Sequence, residues 1–184
     1  MTELQERYNK ELIGKLQKDL GIKNVMALPR LQKIVVNMGV KDAVNDKKII
    51  GKMAEALSIV TGQKAKPTSA KKAIAGFKIR QGDVIGLVVT MRGKRMYEFY
   101  DRLVKIVLPR LKDFRGVPRG SFDGRGNYTL GFHEYSTFPE IDPASVERLQ
   151  GMEMIFVTTG RDNKEGFALL EALGMPFAKE APTR

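Results

Sequence analysis

Two segments constrain the fold of this chain more than any others: LQKIVVNMGV and VIGLVVTMRG both alternate with the two-residue period of a β-strand. In the first, Ile34, Val36, Met38 and Val40 share one face, while Lys33, Val35, Asn37 and Gly39 share the other. In the second, Ile85, Leu87, Val89 and Met91 oppose Val84, Gly86, Val88, Thr90 and Arg92. A strand that is apolar on one side only belongs to a sheet with one covered face, whereas strands of an all-parallel sheet read as continuous apolar runs.

Helical spacing fills the intervals. Leu4, Tyr8, Leu12, Leu16 and Leu20 recur every fourth residue before Gly21, which predicts a first helix with a left-handed stop. A second helix is predicted from about Asp46 to Thr61, burying Ile50, Met53, Leu57 and Val60, with Gly62 beyond its end. A third carries Met96, Phe99, Tyr100, Leu103, Ile106 and Val107 and must end or kink near Pro109. Asp162 followed by Glu165 reads as a variant capping box opening a fourth, whose Phe167, Leu169, Leu170 and Leu173 pack before Gly174. YTLGF and MEMIFVTTG supply further strands. The expected fold class is α+β: an antiparallel sheet of about five strands, helices packed on one face, the other face open for RNA. At 184 residues, one domain spanning 1–184 is the expectation.

Charge separates along this framework. Lys and Arg number 32 against 21 Asp and Glu, a net charge of +11. Residues 41–80 hold ten basic against three acidic side chains and residues 81–133 ten against five, but residues 134–184 hold five against nine. The split suggests one surface for a polyanion and another for a basic partner. QKAKPTSAKKAIAGFKIRQG, residues 63–82, carries Lys64, Lys66, Lys71, Lys72, Lys78 and Arg80 with no acid, and reads as a short strand leading into an exposed loop. Phe77 in its midst offers a stacking surface, so the segment points to nucleic acid more than to a merely solvated face. The Gly- and Arg-rich stretch KDFRGVPRGSFDGRGN, over 112–127, is longer than most connections and is expected to be functional or ordered by a partner.

Other chemistries find little support. No GxxxxGK[ST] occurs, and GRGN near Arg125 lacks the third glycine of a dinucleotide fingerprint. The single histidine, His133, beside Glu134, has no further ligands at metal-binding spacing. Glu140 and Asp142 read as solvated loop acids with no nucleophile nearby. With no cysteine there is no disulfide, which suits a reducing compartment. No apolar run approaches the ~20 residues that cross a bilayer, the amino terminus lacks the apolar core of a signal peptide, and no helix is lopsided enough for a membrane surface. Asn37 and Thr90, with Lys33 and Arg92, lie on the non-core strand faces. On parity alone, contact with RNA sugar and phosphate and simple exposure to water are equally open readings. An RNA-processing enzyme would need an acid–base pair, such as His133 with Glu134, together with a metal.

Several longer blocks settle the direction: VVNMGV, TGQKAKPTSAKKAIAGFKIRQGDVIGLVVTMRG, MYEFYDRLV, LPRLKDFRG, GRGNYTLGFHEYSTFPEID and GMEMIFVTT together resemble the bacterial ribosomal protein L-five family over nearly the whole chain. The resemblance implies a non-enzymatic, cofactor-free and metal-free constituent of the large ribosomal subunit in the cytoplasm. It would act as a monomer that binds 5S rRNA in the central protuberance and touches the large-subunit rRNA. Carried over, the 5S rRNA surface comprises Asn37, Gln63 and Thr90, with Lys33, Lys64, Lys66, Thr68, Ser69 and Arg92. The loop at 71–82, with Lys71, Lys72, Phe77, Lys78 and Arg80, would reach the P-site tRNA. The acidic surface at Glu134, Glu140, Asp142 and Glu147 would bridge to the small-subunit head protein of the S-thirteen family.

Overall fold

In the computed structural model, residues 2–40, 48–112, 114–142 and 150–178 are described. Five strands, β1 (Leu31–Gly39), β2 (Lys66–Ser69), β3 (Val84–Met91), β4 (Tyr128–Phe132) and β5 (Met152–Thr158), form one antiparallel sheet in the order β2-β3-β1-β5-β4. The α+β expectation holds, with four helical rods packed against the sheet. The chain clusters into two units: Met1–Ile34 with Arg92–Leu130 and Ile155–Arg184, and Val35–Met91 with Gly131–Met154.

In the first unit, the amino-terminal rod runs as α1 (Glu3–Arg7), a π-helical turn (Tyr8–Leu12) and α2 (Ile13–Leu20). The Thr2 hydroxyl caps it by accepting from the Gln5 amide, and Gly21 stops it at φ 68°. All four residues of the stripe from Leu4 to Leu16 are buried, while Leu20 is half-buried. The rod containing α4 (Gly93–Arg102) likewise widens into a π turn at Leu103–Val107 before Leu108–Arg110 tightens to a 3₁₀ turn at Pro109. That widening corrects one expectation: a π turn takes more residues than 3.6, so Leu103 and Val107 are buried while Ile106 is rotated out and 42% exposed. Packing of α1 on α4 and of α2 on α5 (Asn163–Ala172) closes this core. Tyr100 meets Phe156 edge-on at 5.8 Å and donates its hydroxyl to the Leu170 carbonyl at 3.2 Å, so its polar atom is satisfied inside the apolar interior.

In the second unit, α3 (Lys48–Thr61) packs on β2 and β3 through Met53, Leu57 and Val60. Ile50 is half-buried, and Asp46 lies outside the described residues. The Thr61 hydroxyl, buried, donates to the Leu57 carbonyl at 2.7 Å just before Gly62 ends the helix. Strand parity is as the alternation predicts: Val36, Met38, Leu87, Val89 and Met91 are buried, and Val35, Asn37, Val88 and Thr90 are half-buried opposite them. Ile85 departs from it. Thr68 pairs with Gly86 and Ser69 with Val84, so β3 carries one extra residue between those pairs, and this bulge leaves Ile85 half-exposed.

A candidate nucleic-acid interface

The second unit brings together most residues singled out for RNA contact. Asn37 stands on β1 between Val36 and Met38, both fully buried, and its own half-buried side chain makes no hydrogen bond within the described residues. The hydroxyl of Thr90 is in the same state on β3. A half-buried amide or hydroxyl left unspent by its own protein is available to water or to a partner. Gln63, just past α3, donates from Nε2 to the Thr90 carbonyl at 3.2 Å, which fixes a third polar side chain to the end of β3.

The pairing of β2 with β3 sets the rest. Lys66 lies opposite Val88 and Thr68 opposite Gly86, and antiparallel partners share a face, so both project on the same side as Thr90. Gly86 is required there. A Cβ at this position would sit 2.9 Å from the Thr68 Oγ1 and 3.0 Å from the Met38 carbonyl oxygen, so its absence lets three chain segments close up at the polar face. Lys64, Lys66 and Ser69 are exposed around this face and Thr68 is half-buried. Lys33 (half-buried) and Arg92 (exposed) belong to the first unit.

Beyond β2 the chain forms a closed finger over residues 70–83. Ala70 and Asp83 pair through Ala70 N–H to Asp83 O at 2.8 Å, and Ile74 and Ile79 exchange two backbone hydrogen bonds at 2.9 and 3.2 Å. The Asp83 carboxylate accepts from the Arg80 amide at 2.7 Å. At the tip a 3₁₀ turn (Ala75–Phe77) leads into Lys78, at φ 55° the only non-glycine in the left-handed region among the described residues. Lys71, Lys72, Lys78 and Arg80 all lie at the finger's surface, with Ile74 (48%) and Phe77 (64%) exposed among them. The finger is therefore a hydrogen-bonded structure that presents an aromatic ring among four cations. Sequence reasoning missed its internal bridge and the role of Gly86. The signal for the latter was a glycine inside an otherwise apolar strand.

The acidic segment after β4 places Glu134 and Asp142 at the surface, with the Ser136 hydroxyl donating to Glu134 at 3.1 Å. Glu140 has one carboxylate oxygen shielded from solvent, so the reading of Glu140 and Asp142 as a solvated pair holds for Asp142 only. Glu147 lies outside the described residues. His133 is exposed, and no group of three metal-ligating side chains converges among the described residues. No described helix is long and apolar enough to cross a membrane.

The composition of the stretch 112–127 predicts a functional or partner-ordered loop; over 114–127 its order comes from the protein's own contacts. The Asp123 carboxylate accepts from the Arg125 and Asn127 amides and from the Asn127 side chain at 2.7 Å, and this last bond is the main reason its acidity is increased. Tyr128 donates to the Pro118 carbonyl at 2.7 Å, and Val117 bridges to Phe177. Gly126 and Gly166 pack backbone to backbone, and the buried Thr158 hydroxyl donates to the Gly126 carbonyl at 2.9 Å. Of the two glycines of GRGN, Gly126 thus serves close packing, while Gly124 has open space beside it and adopts a left-handed φ of 87°.

Comparison with known proteins adds a decisive observation: residues 24–80 match the family model of ribosomal protein L5, and residues 84–177 match the model of that ribosomal family's C-terminus. The chain belongs to the ribosomal protein L5 family. Similar members, each named large ribosomal subunit protein uL5, include that of Anaeromyxobacter sp. (strain Fw109-5), 56% identical over 95% of this chain and 97% of the relative. That of Dichelobacter nodosus is 54% identical over 96% and 99%, and that of Streptococcus thermophilus 52% over 96% and 98%. The L5 family is structural and non-enzymatic, so the RNA-processing alternative at His133 and Glu134 falls away.

Proposed function

We propose that this L5 family member is a structural constituent of the large ribosomal subunit that binds 5S rRNA through the face of its second unit. The carrying observation is the concentration there of side chains that make no hydrogen bond among the described residues, Asn37 and Thr90, beside Gln63, Thr68 and exposed Lys64 and Lys66. A surface of this kind holds RNA by sugar and phosphate contacts, with lysines supplying salt-dependent affinity and the rigid strands supplying register. Half-buried Val35 and Val88 between the polar groups make a fixed floor that reads RNA shape, not base sequence. Lys33 and Arg92, from the first unit, add cations for the same RNA, and Ser69 extends the polar face.

The finger, with Lys71, Lys72, Lys78 and Arg80 around Phe77, suits a second RNA, the P-site tRNA. Glu134, Glu140, Asp142 and Glu147 suit a basic protein of the small-subunit head, of the S-thirteen family. Large-subunit rRNA, a single-domain organisation of residues 1–184 and a monomeric state within the cytoplasmic ribosome complete the reading. The test is binding of the purified protein to 5S rRNA and to an unrelated structured RNA of equal length across a salt series. Preference for 5S rRNA that survives moderate salt supports the assignment; equal and equally salt-labile binding to both refutes it.

A further inference from the structure

The first unit holds a cation-lined aromatic cleft that the reading above does not use. It measures about 310 Å³ and is lined by Arg119, Phe122, Asn163, Lys164 and Phe167. Phe167 and Phe177 lie 4.6 Å apart, and Phe122 stacks on Phe177 at 6.2 Å with planes 30° apart. The Arg119 guanidinium sits 5.0 Å above the Phe167 ring while its Nε donates to the Ala178 carbonyl at 3.0 Å. Phe177, Phe167 and Arg119 are thus in successive pairwise contact, a column of two rings and an exposed guanidinium held by the Ala178 carbonyl.

The polar groups around the column are spent unequally. Asn163 uses its Oδ1 to accept from the Gly124 and Gly126 amides at 2.8 and 3.5 Å, which leaves its Nδ2, a double donor, without a partner among the described residues. The nearby acids are committed to backbone: Asp123 to the Arg125 and Asn127 amides, Asp162 to the Glu165 amide and Glu165 to the Arg161 amide, the last two at 2.8 Å. Lys164, Arg125 and Arg161 make no ion pair to those acids among the described residues. Positive charge, a free amide donor and a stacking column in one cleft match a nucleotide with its phosphate and match an acidic peptide less well, because a peptide has no use for the column.

We infer that this cleft is a second RNA-binding site, which takes an unpaired nucleotide of a single-stranded segment. The base stacks on the outer side of Arg119, continuing the Phe177–Phe167–Arg119 column, while Lys164 meets the adjoining phosphate and Asn163 Nδ2 donates to base or sugar. The inference rests on the reading of the protein as an RNA-binding ribosomal constituent, and it concerns the first unit alone.

The test uses the full chain with fluorescein-labelled hexauridylate in anisotropy titrations, inorganic polyphosphate as a base-free polyanion, hexaglutamate as an acidic peptide, and 5S rRNA as the control. Arg119→Lys keeps the charge and removes the planar platform. It is expected to weaken hexauridylate binding about tenfold, on the scale of one lost base stack, with polyphosphate binding unchanged. Lys164→Ala, at an exposed position, is expected to reduce the log–log salt slope by about 0.7, one phosphate contact on a single strand. A hexauridylate carrying 4-thiouridine is expected to crosslink to the segments containing Arg119 or Lys164. Unchanged hexauridylate affinity in both variants overturns the inference, as does equal affinity for hexaglutamate. If 5S rRNA binding by the unsubstituted protein stays intact in that case, only the second site is lost; if 5S rRNA binding fails as well, the broader reading fails with it.

Discussion

Asn37 shows how a single side chain can be separated from the stability of the strand that carries it. Its neighbours Val36 and Met38 are fully buried and hold β1 in place, while its own amide makes no hydrogen bond among the described residues. Replacing it with Ala should therefore leave the stability measured by urea unfolding within about 0.5 kcal/mol of the parent. It should also cost about 1 kcal/mol in 5S rRNA affinity, the value of a typical hydrogen bond, seen as a roughly fivefold weaker dissociation constant. An unchanged dissociation constant with the fold intact would remove Asn37 from the interface. Gly86 makes the opposite case: Gly86→Ala should cost about 1–3 kcal/mol in urea unfolding, because Thr68 and the Met38 carbonyl must both give way. At this scale the sequence was informative about which face a residue occupies. It was silent on whether a polar side chain is spent, since Gln63 and Asn37 read alike until the Gln63 bond to Thr90 is seen.

Elements show where periodicity succeeds and where it slips. The alternation in β1 and β3 placed their core residues because period two admits no drift; the bulge at Ile85 is a register event between two strands that no single strand encodes. Both long helical rods of the first unit's amino-terminal and α4 segments contain π turns, and Ile106 falls outside the stripe because a 3.6-residue template cannot anticipate an inserted residue. The capping box at α5 was half legible. Asp162 does accept from the Glu165 amide, but the Glu165 carboxylate returns to Arg161 N–H instead of Asp162 N–H. Buried phenols in this unit also set an alkaline limit. Burial first, then the charge of Tyr97 against the opposing pull of Arg30, raises Tyr8 to about 12, and burial raises Tyr128 to about 12. The unfolded phenols ionise near 10, so the folded state holds protons that the unfolded state releases. The contribution to stability is complete below pH 10 and falls as pH rises towards 12. Circular dichroism and phenolate absorbance followed together should show loss of helix coinciding with a late ionisation step. Phenolate from every tyrosine appearing near pH 10 with the helices intact would contradict the burial of these rings.

For the whole molecule, charge is the property the sequence disclosed best and the one whose use depends most on structure. The basic run from Lys64 to Arg80 divides into two physically different parts: lysines beside the face of β2 and β3, and a finger closed by the Ile74–Ile79 bridge. A count of lysines could not separate them, because the hydrogen bonds that fold the finger are between backbone atoms. The source of order in the basic stretch at 112–127 was illegible for the same reason, since it lies in the contacts of Asp123, Tyr128 and the Gly126–Gly166 pair. If the two parts of the run serve different RNAs, their salt dependences separate. Lys64→Ala with Lys66→Ala should lower the log–log salt slope for 5S rRNA by up to about 2, at most one per phosphate contact removed. Lys78→Ala with Arg80→Ala should leave that slope unchanged and weaken binding of tRNA to the assembled ribosome's P site. Equal losses in 5S rRNA binding from both pairs would mean that the finger and the strand face belong to one continuous interface, and the finger would then have no separate partner to explain its exposed Phe77.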